Sequence, residues 1–87
     1  MKKFFMNGEK IDEELFWKNF EDDANTIAEE TFEEYLYSIG ETLDDVLYND
    51  LYYLELKKHS SITLNNCKDE LETCDFVIIN GNEYFVE

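Results

Sequence analysis

The chain has 87 residues, of which 22 are Asp or Glu and seven are Lys, and no arginine is present, so the formal net charge is −15. A field of this sign repels nucleic acid and anionic membranes and attracts basic partners. Hydrophobic residues make up 44% of the chain and aromatic residues 16%. An acidic disordered segment carries far fewer, so we expect one folded domain spanning residues 1–87.

A β-hairpin is predicted at the N-terminus. Lys2–Met6 is a short apolar strand, and Glu9–Ile11 is its return strand. The intervening Asn7-Gly8 favours a type I′ turn, because both central residues of that turn need a positive φ.

The stretch from Asp12 to Ile39 has the period of an amphipathic helix, with Asp12 as the N-cap and Gly40 as the residue that ends the helix. A break into two helices near Asp22–Asn25 is possible, because Asn and Asp favour caps and turns. The predicted apolar arc contains Phe16, Phe20, Ala24, Ile27, Ala28, Tyr35 and Ile39. The opposite arc contains Asp22, Asp23, Glu29, Glu30, Glu33 and Glu34.

A second helix is predicted to start at Thr42–Asp45, which resembles a capping box with Asp in the Glu position. Lys57, Lys58 and His59 would complement the negative end of its dipole. Residues 51–56 could instead form a strand, since leucines alternate there with tyrosines, but helix is favoured. The apolar stripe of this helix contains Leu43, Val46, Leu47, Leu51 and Leu54.

The C-terminal third is predicted to be mostly β-structure. Ser61–Leu64 is a predicted strand, Asn65–Thr73 a polar connection, and Phe76–Ile79 and Glu83–Val86 the strands of a second hairpin turning at Asn80-Gly81. The order of elements predicts an α+β domain with two to three helices packed on a small, mostly antiparallel sheet that contains two β-hairpins.

Catalytic and metal-binding residues are scarce in this sequence. The only histidine, His59, is better explained as a helix-terminal residue than as a general base, and no glycine-rich phosphate loop is present. Cys67 and Cys74 do not have a standard zinc spacing, and free cysteine usually packs as a small hydrophobic residue. We therefore expect no enzyme activity, no cofactor and no bound metal. The N-terminal apolar run is too short for a signal peptide, which predicts a cytoplasmic protein with reduced thiols.

The acidic arc is the most informative feature. Carboxylates at i and i+4 on a helix lie ~6 Å apart along its axis, a distance on the scale of phosphate spacing in DNA. Such pairs destabilise a helix, and lysines could have relieved the repulsion. Either this arc is a functional field or it is an ordinary solvated face. The pairs are formed by Glu29, Glu30, Glu33 and Glu34, and the line can be extended by Asp22, Asp23, Asp44 and Asp45.

Three tyrosines are predicted to accompany these acids. Tyr37 falls within the arc of Glu30 and Glu33, while Tyr48 and Tyr52 lie opposite the leucine stripe of the second helix. An exposed tyrosine ringed by carboxylates can anchor a Lys- or Arg-bearing partner. The alternative is that these tyrosines belong to a second core. The predicted partner-binding set is Asp22, Asp23, Glu29, Glu30, Glu33, Glu34, Tyr37, Asp44, Asp45, Tyr48 and Tyr52.

In size, acidity and α+β make-up, the chain resembles the small inhibitors that phages and mobile elements carry against host defences, including anti-CRISPR proteins and DNA mimics. This resemblance implies that it blocks the basic nucleic-acid-binding cleft of a nuclease such as a CRISPR effector, in the cytoplasm of a bacterial host. We expect a monomer or homodimer that contacts neither nucleic acid nor membrane.

The alternative is a non-enzymatic adaptor, or a regulatory or structural phage subunit, that binds a partner or itself through an apolar sheet face. One face of the last hairpin would carry Phe76, Ile78 and Phe85, and the other Val77, Ile79, Tyr84 and Val86.

Overall fold

The computed structural model describes residues 2–48 and 50–87. These residues form an α+β fold, which confirms the predicted class. In chain order the elements are β1 (Phe4–Met6), β2 (Glu9–Ile11), α1 (Glu13–Glu30), α2 (Phe32–Ser38), α3 (Leu43–Tyr48), α4 (Tyr52–Cys74), β3 (Phe76–Ile79) and β4 (Asn82–Val86).

The four strands form one antiparallel sheet in the order β2-β1-β4-β3. Its two central strands come from opposite ends of the chain, and Phe5 lies opposite Phe85 in their register. Both predicted hairpins are confirmed. Asn7 and Asn80 have φ values of 54° and 52°, and the glycine after each is also at positive φ, as a type I′ turn requires.

The helix predicted over residues 12–39 is broken at Thr31, and not near Asp22–Asn25, where the sequence made a break possible. Thr31 is the C-cap of α1 and the N-cap of α2, and its hydroxyl donates to the Ile27 carbonyl at 2.9 Å. The predicted break lies inside α1, where Ala24 is fully buried. Burial of the apolar face outweighs the turn preference of the flanking Asp and Asn residues.

The end of α2 and the start of α3 agree with the prediction. Gly40 has a φ of 81°, and the amides of Gly40 and Glu41 donate to the carbonyls of Tyr37 at 3.1 Å and Leu36 at 2.9 Å, which is a Schellman motif. The Asp45 amide then donates to the Thr42 hydroxyl at 3.2 Å, so Thr42 caps α3.

The predicted second helix is interrupted between Tyr48 and Tyr52. It crosses Asn49, which lies outside the described residues. Asp50 adopts a left-handed conformation with a φ of 56°, and the amides of Asp50 and Leu51 donate to the carbonyls of Leu47 at 3.3 Å and Val46 at 3.0 Å. This is a second Schellman motif. Because the turn interrupts the helix, side chains of α4 do not continue the angular positions set by α3.

Residues 61–73 lie inside α4, so the predicted strand at Ser61–Leu64 and the predicted connection at Asn65–Thr73 are wrong. One face of this helix packs against the core beneath the sheet through Leu64, Cys67 and Leu71, and this spacing of three and four residues is helical. Consequently Lys57, Lys58 and His59 lie within α4 rather than at its end. The helix ends at Asp75, which is left-handed with a φ of 64°.

Two clusters of buried side chains are found in the described part of the chain. The first lies between the sheet and the helices α1 and α4, and comprises Phe4, Phe16, Phe20, Leu71, Val77, Ile79 and Tyr84. The second lies at the helical end and comprises Phe32, Leu36 and Val46, with Tyr35, Leu43, Tyr52 and Leu56 packed against it.

The arrangement is elongated. Along α1, the fully buried Ala24 and Ala28 lie between the parts of the chain that form the two clusters, and α1 and α4 contact each other extensively. The molecule measures 48 × 21 × 20 Å with a radius of gyration of 15.0 Å, against about 12 Å for a compact domain of this length.

No helix in residues 2–48 and 50–87 has the length and hydropathy needed to cross a membrane.

Candidate protein-binding surface

The chain contains no lysine between Lys18 and Lys57, a stretch with twelve Asp and Glu residues. We call residues 19–56 the acidic segment. It forms most of α1, all of α2 and α3 and the first turn of α4. Ten of its twelve acids are exposed, and Asp23 and Glu55 are half-buried. The negative charge is therefore concentrated on the helical part of the molecule and lies in solvent.

The predicted acidic pairs are exposed, but they do not lie on one continuous helix. Glu29 and Glu30 are the last residues of α1, and Glu33 and Glu34 lie in the first turn of α2. The predicted pairs therefore span the junction at Thr31, whereas the ~6 Å spacing was predicted for a single helix. Asp22, Asp44 and Asp45 are exposed as expected.

Asp23 is half-buried and accepts hydrogen bonds within the molecule, unlike its exposed neighbour Asp22. The side-chain amides of Asn82 and Asn80 donate to its carboxylate at 2.9 and 3.4 Å, and the Tyr84 hydroxyl donates a further hydrogen bond to it. Burial and the hydrogen bond with Asp23 raise the pKa of Tyr84. Asp23 therefore fastens the β3–β4 hairpin to α1.

Two of the three predicted tyrosines are exposed. Tyr37 and Tyr48 have exposed fractions of 83% and 89%. Tyr52 instead packs edge-on against Phe32, with ring centroids 5.3 Å apart, so it belongs to the second core cluster. The exposed tyrosine at this point is Tyr53, at 83%. A single helix through this region placed Tyr52 opposite the leucine stripe. The turn at Asp50 changes the helical phase between α3 and α4, and Tyr52 therefore packs inward.

The same phase change exposes part of the predicted leucine stripe. Only Val46 of that stripe is buried, and Leu43 is half-buried. The exposed large apolar residues of the acidic segment are Tyr37, Ile39, Leu47, Tyr48, Leu51, Tyr53 and Leu54. Apolar contact area and negative charge thus occur together in residues 37–54, the combination found at protein-binding surfaces.

His59 takes part in packing. Its ring stacks on Tyr35 with centroids 4.5 Å apart, and its Nε2 lies 2.8 Å from the Thr31 hydroxyl. Because that hydroxyl donates to Ile27, we assign Nε2 as the donor to it, which leaves Nδ1 unprotonated. Nδ1 has no hydrogen-bond partner among the described residues, and burial lowers the pKa of His59.

A groove of about 420 Å³ runs between α1 and α4. One wall is formed by α1 and the other by α4, and Tyr53 lies at the end nearest the start of α4. Sequence reasoning missed this groove because it placed residues 61–73 outside any helix. Its lining residues are Glu21, Asn25, Glu29, Tyr53, Leu56, Lys57, Ser60, Ser61 and Leu64.

The outer face of the sheet carries a small apolar patch. Phe5, Phe85 and Phe76 lie side by side on neighbouring strands, and the rings of Phe5 and Phe85 are 5.8 Å apart. Phe76 and Ile78 have exposed fractions of 48% and 62%. Their neighbours Val77 and Ile79 point inward and are buried, which confirms the predicted division of this hairpin into two faces.

No family model matches this sequence, and comparisons with curated proteins and with solved structures found no match. Among the described residues, no group of three or more His, Cys, Asp or Glu side chains is arranged to hold a metal ion.

Proposed function

We propose that this protein is a small inhibitor that occupies the basic nucleic-acid-binding cleft of another protein. The observation that carries the proposal is the acidic segment, which is free of lysine and contains exposed tyrosines. Following the resemblance to phage-borne inhibitors, the target class we propose is a CRISPR effector nuclease, and the site of action is the cytoplasm of a bacterial host.

The linear charge density supports this proposal. Fifteen net negative charges on a molecule 48 Å long correspond to about one charge per 3 Å, close to the ~3.4 Å spacing along one DNA strand. A cleft that attracts a nucleic-acid strand would attract this protein by the same long-range force. Steering of this kind raises association rates and weakens as salt is added.

The tyrosines provide the short-range contacts. Tyr37, Tyr48 and Tyr53 are almost fully exposed, although each could contribute apolar area to a core. Tyrosine is enriched at binding hot spots because its ring is large and rigid and its hydroxyl can hydrogen-bond. In the complex, the carboxylates would pair with Lys and Arg of the cleft while the rings fill gaps between them.

The proposal is tested with guide-loaded CRISPR effector nucleases in a DNA-cleavage assay. The protein should inhibit when it is added before the target DNA and should fail when the DNA is already bound, because both occupy one cleft. Absence of inhibition across effectors of different types would reject the proposed target. Inhibition that is independent of the order of addition would reject occlusion of the cleft.

Charge reversal tests the surface. Changing Glu30, Glu33 and Glu34 to Lys should slow association with the inhibited nuclease about tenfold or more and reduce its salt dependence. The matched control is Lys at Asp69, Glu70 and Glu72, which changes the net charge equally on the last two turns of α4. Equal effects of the two variants would show that net charge alone acts, contrary to the proposal.

A second candidate function is self-association through the outer face of the sheet, which the exposure of Phe76 and Ile78 favours. The outermost strands are only about 14 Å apart, from three spacings of ~4.8 Å, so this face is small beside the ~800 Å² per partner of a stable interface. A dimer formed there would be weak. Light scattering at millimolar concentration should detect it, and Ile78→Lys should abolish it; a monomer at that concentration would exclude it.

A further inference from the structure

The groove between α1 and α4 has two chemically different walls. On α1, Glu21, Asn25 and Glu29 follow one another at intervals of four residues, so their side chains project from one edge of the helix. The two carboxylates are eight residues apart, which corresponds to ~12 Å along the helix axis. All three side chains are exposed. Because two are glutamates and the third is an asparagine, the α1 wall is polar and negatively charged.

The α4 wall supplies apolar surface. Leu56 and Leu64 are half-buried and line the groove, and the exposed ring of Tyr53 lies at one end of it. Between the leucines the wall carries the small hydroxyls of Ser60 and Ser61 and the side chain of Lys57. A side chain entering the groove would therefore meet methyl groups and a ring on one side and carboxylates on the other.

Lysine and arginine match this pair of walls. Each has an aliphatic stem that packs on apolar surface and a cationic head that seeks a carboxylate. Among the described residues, neither glutamate forms an ion pair within 4.0 Å; the ion pair found there, Lys58–Glu55, does not line the groove. Lys57 lines the α4 wall, so its ammonium competes with an incoming cation.

We propose that this groove binds a helical segment of the partner protein that presents two Lys or Arg side chains about 12 Å apart, their stems on Leu56 and Leu64 and their heads at Glu21 and Glu29. The inference rests on the proposed function, since it specifies how a basic partner is held. A nucleic-acid strand is excluded by charge. A second copy is a poor occupant, because the acidic segment of one molecule would repel that of the other.

The test uses the full-length protein, labelled with ¹⁵N, and a synthetic helical peptide with arginines at positions i and i+8 on one face. These arginines repeat the ~12 Å separation of the two glutamates. At 0.15 M salt, the peptide should shift the amide signals that flank the groove, and the same peptide with glutamines at both positions should bind at least tenfold more weakly. Shifts confined to other surfaces would overturn the proposal.

Variants assign the contacts. Glu21→Gln with Glu29→Gln should weaken the arginine peptide about tenfold, and Lys57→Gln should strengthen it about threefold because it removes the competing cation. The matched control, Glu33→Gln with Glu34→Gln, lies outside the groove and should change affinity less than twofold, since exposed charges are screened beyond ~8 Å at this salt. Equal weakening by the two double variants would overturn the groove assignment.

The nuclease assay separates this inference from the proposed function. If the peptide binds the groove but the protein inhibits no effector, the proposed function fails and the groove remains a basic-peptide site. If the protein inhibits an effector and the Glu21 and Glu29 double variant inhibits equally well, the groove inference fails and the proposed function stands.

Discussion

The hydroxyl of Tyr84 on β4 donates a hydrogen bond to the carboxylate of Asp23 in the middle of α1. Tyr84 is fully buried. Its bond and those from Asn80 and Asn82 to the same carboxylate join the C-terminal hairpin to the helical layer. The contact uses an acid of the acidic segment for stability, and it distinguishes Asp23 from its exposed neighbour Asp22.

Removing this hydroxyl should destabilise the fold. A hydrogen bond to a charged group contributes about 1.5–3 kcal/mol, so Tyr84→Phe should lower the free energy of unfolding by about 2 kcal/mol, measured by urea denaturation. Tyr53→Phe removes a hydroxyl from an exposed ring and serves as the control, with a change under about 0.5 kcal/mol. Equal effects of the two substitutions would contradict the role of the Tyr84–Asp23 bond.

The same bond predicts a loss of stability in alkali. Burial and Asp23 raise the pKa of Tyr84 above its usual value of 10.0. The folded state therefore holds this proton more tightly than the unfolded state, and the resulting stability is present below pH 10 and lost as pH rises above it. Denaturation between pH 8 and 11 should show a steeper loss in the native protein than in Tyr84→Phe. Parallel curves would contradict the assignment.

His59 predicts a loss of stability in acid. Burial lowers its pKa below 6.5, so the unfolded state takes up a proton first, and the stability that the neutral ring contributes above pH 6.5 is lost as pH falls through the folded-state pKa. Protonation would also place an N–H on the unpartnered Nδ1. Because carboxylates titrate too, the measurement is the difference between the native protein and His59→Gln, which should shrink from pH 7.5 to 5.5.

Asp75 should limit stability. It is left-handed with a φ of 64° and places a carboxylate at the negative end of α4, whose last turn has no basic residue. Asp75→Asn removes the charge and should stabilise by about 0.3–1 kcal/mol. Asp75→Gly also removes the steric cost of a left-handed conformation at this residue, and should raise the free energy of unfolding by about 0.5–1 kcal/mol more. Thermal unfolding measures both, and a lower melting temperature for Asp75→Gly would contradict the argument.

The two cysteines should differ in reactivity. Cys67 is half-buried, and burial, with a smaller effect from Glu70, raises its pKa. Cys74 is exposed. Since the thiolate is the reactive form, an aromatic disulfide reagent at pH 8 should modify Cys74 faster than Cys67. Cys74→Ser should remove the fast phase and Cys67→Ser the slow one; the reverse assignment would contradict the placement of these residues.

Sequence patterns predicted those parts of the fold that depend on neighbouring residues. The two Asn-Gly turns and the Gly40 end of α2 are local conformational requirements, and all three are present. Asp12 lies at the N-cap position of α1 as predicted, but its side chain makes no capping hydrogen bond. The α+β class followed from the order of the predicted elements. The prediction failed in residues 61–73, because they carry too few hydrophobic side chains to indicate a helix. Leu64, Cys67 and Leu71 are nevertheless enough to bury one face of α4 once that face packs against α1 and the sheet.

For the predicted partner-binding residues, too, only the properties that do not depend on folding could be predicted. The amino-acid sequence alone established the net charge and the lysine-free stretch from residue 19 to residue 56, because neither depends on folding. Tertiary structure decided which acids and rings are exposed. The left-handed turn at Asp50 rotates α4, so Tyr52 packs on Phe32 while Tyr53 faces solvent. The packing of β4 on α1 brings Tyr84 to Asp23, and the pairing of α1 with α4 creates the groove. Neither contact could be predicted from local patterns, because each joins residues that are far apart in the sequence.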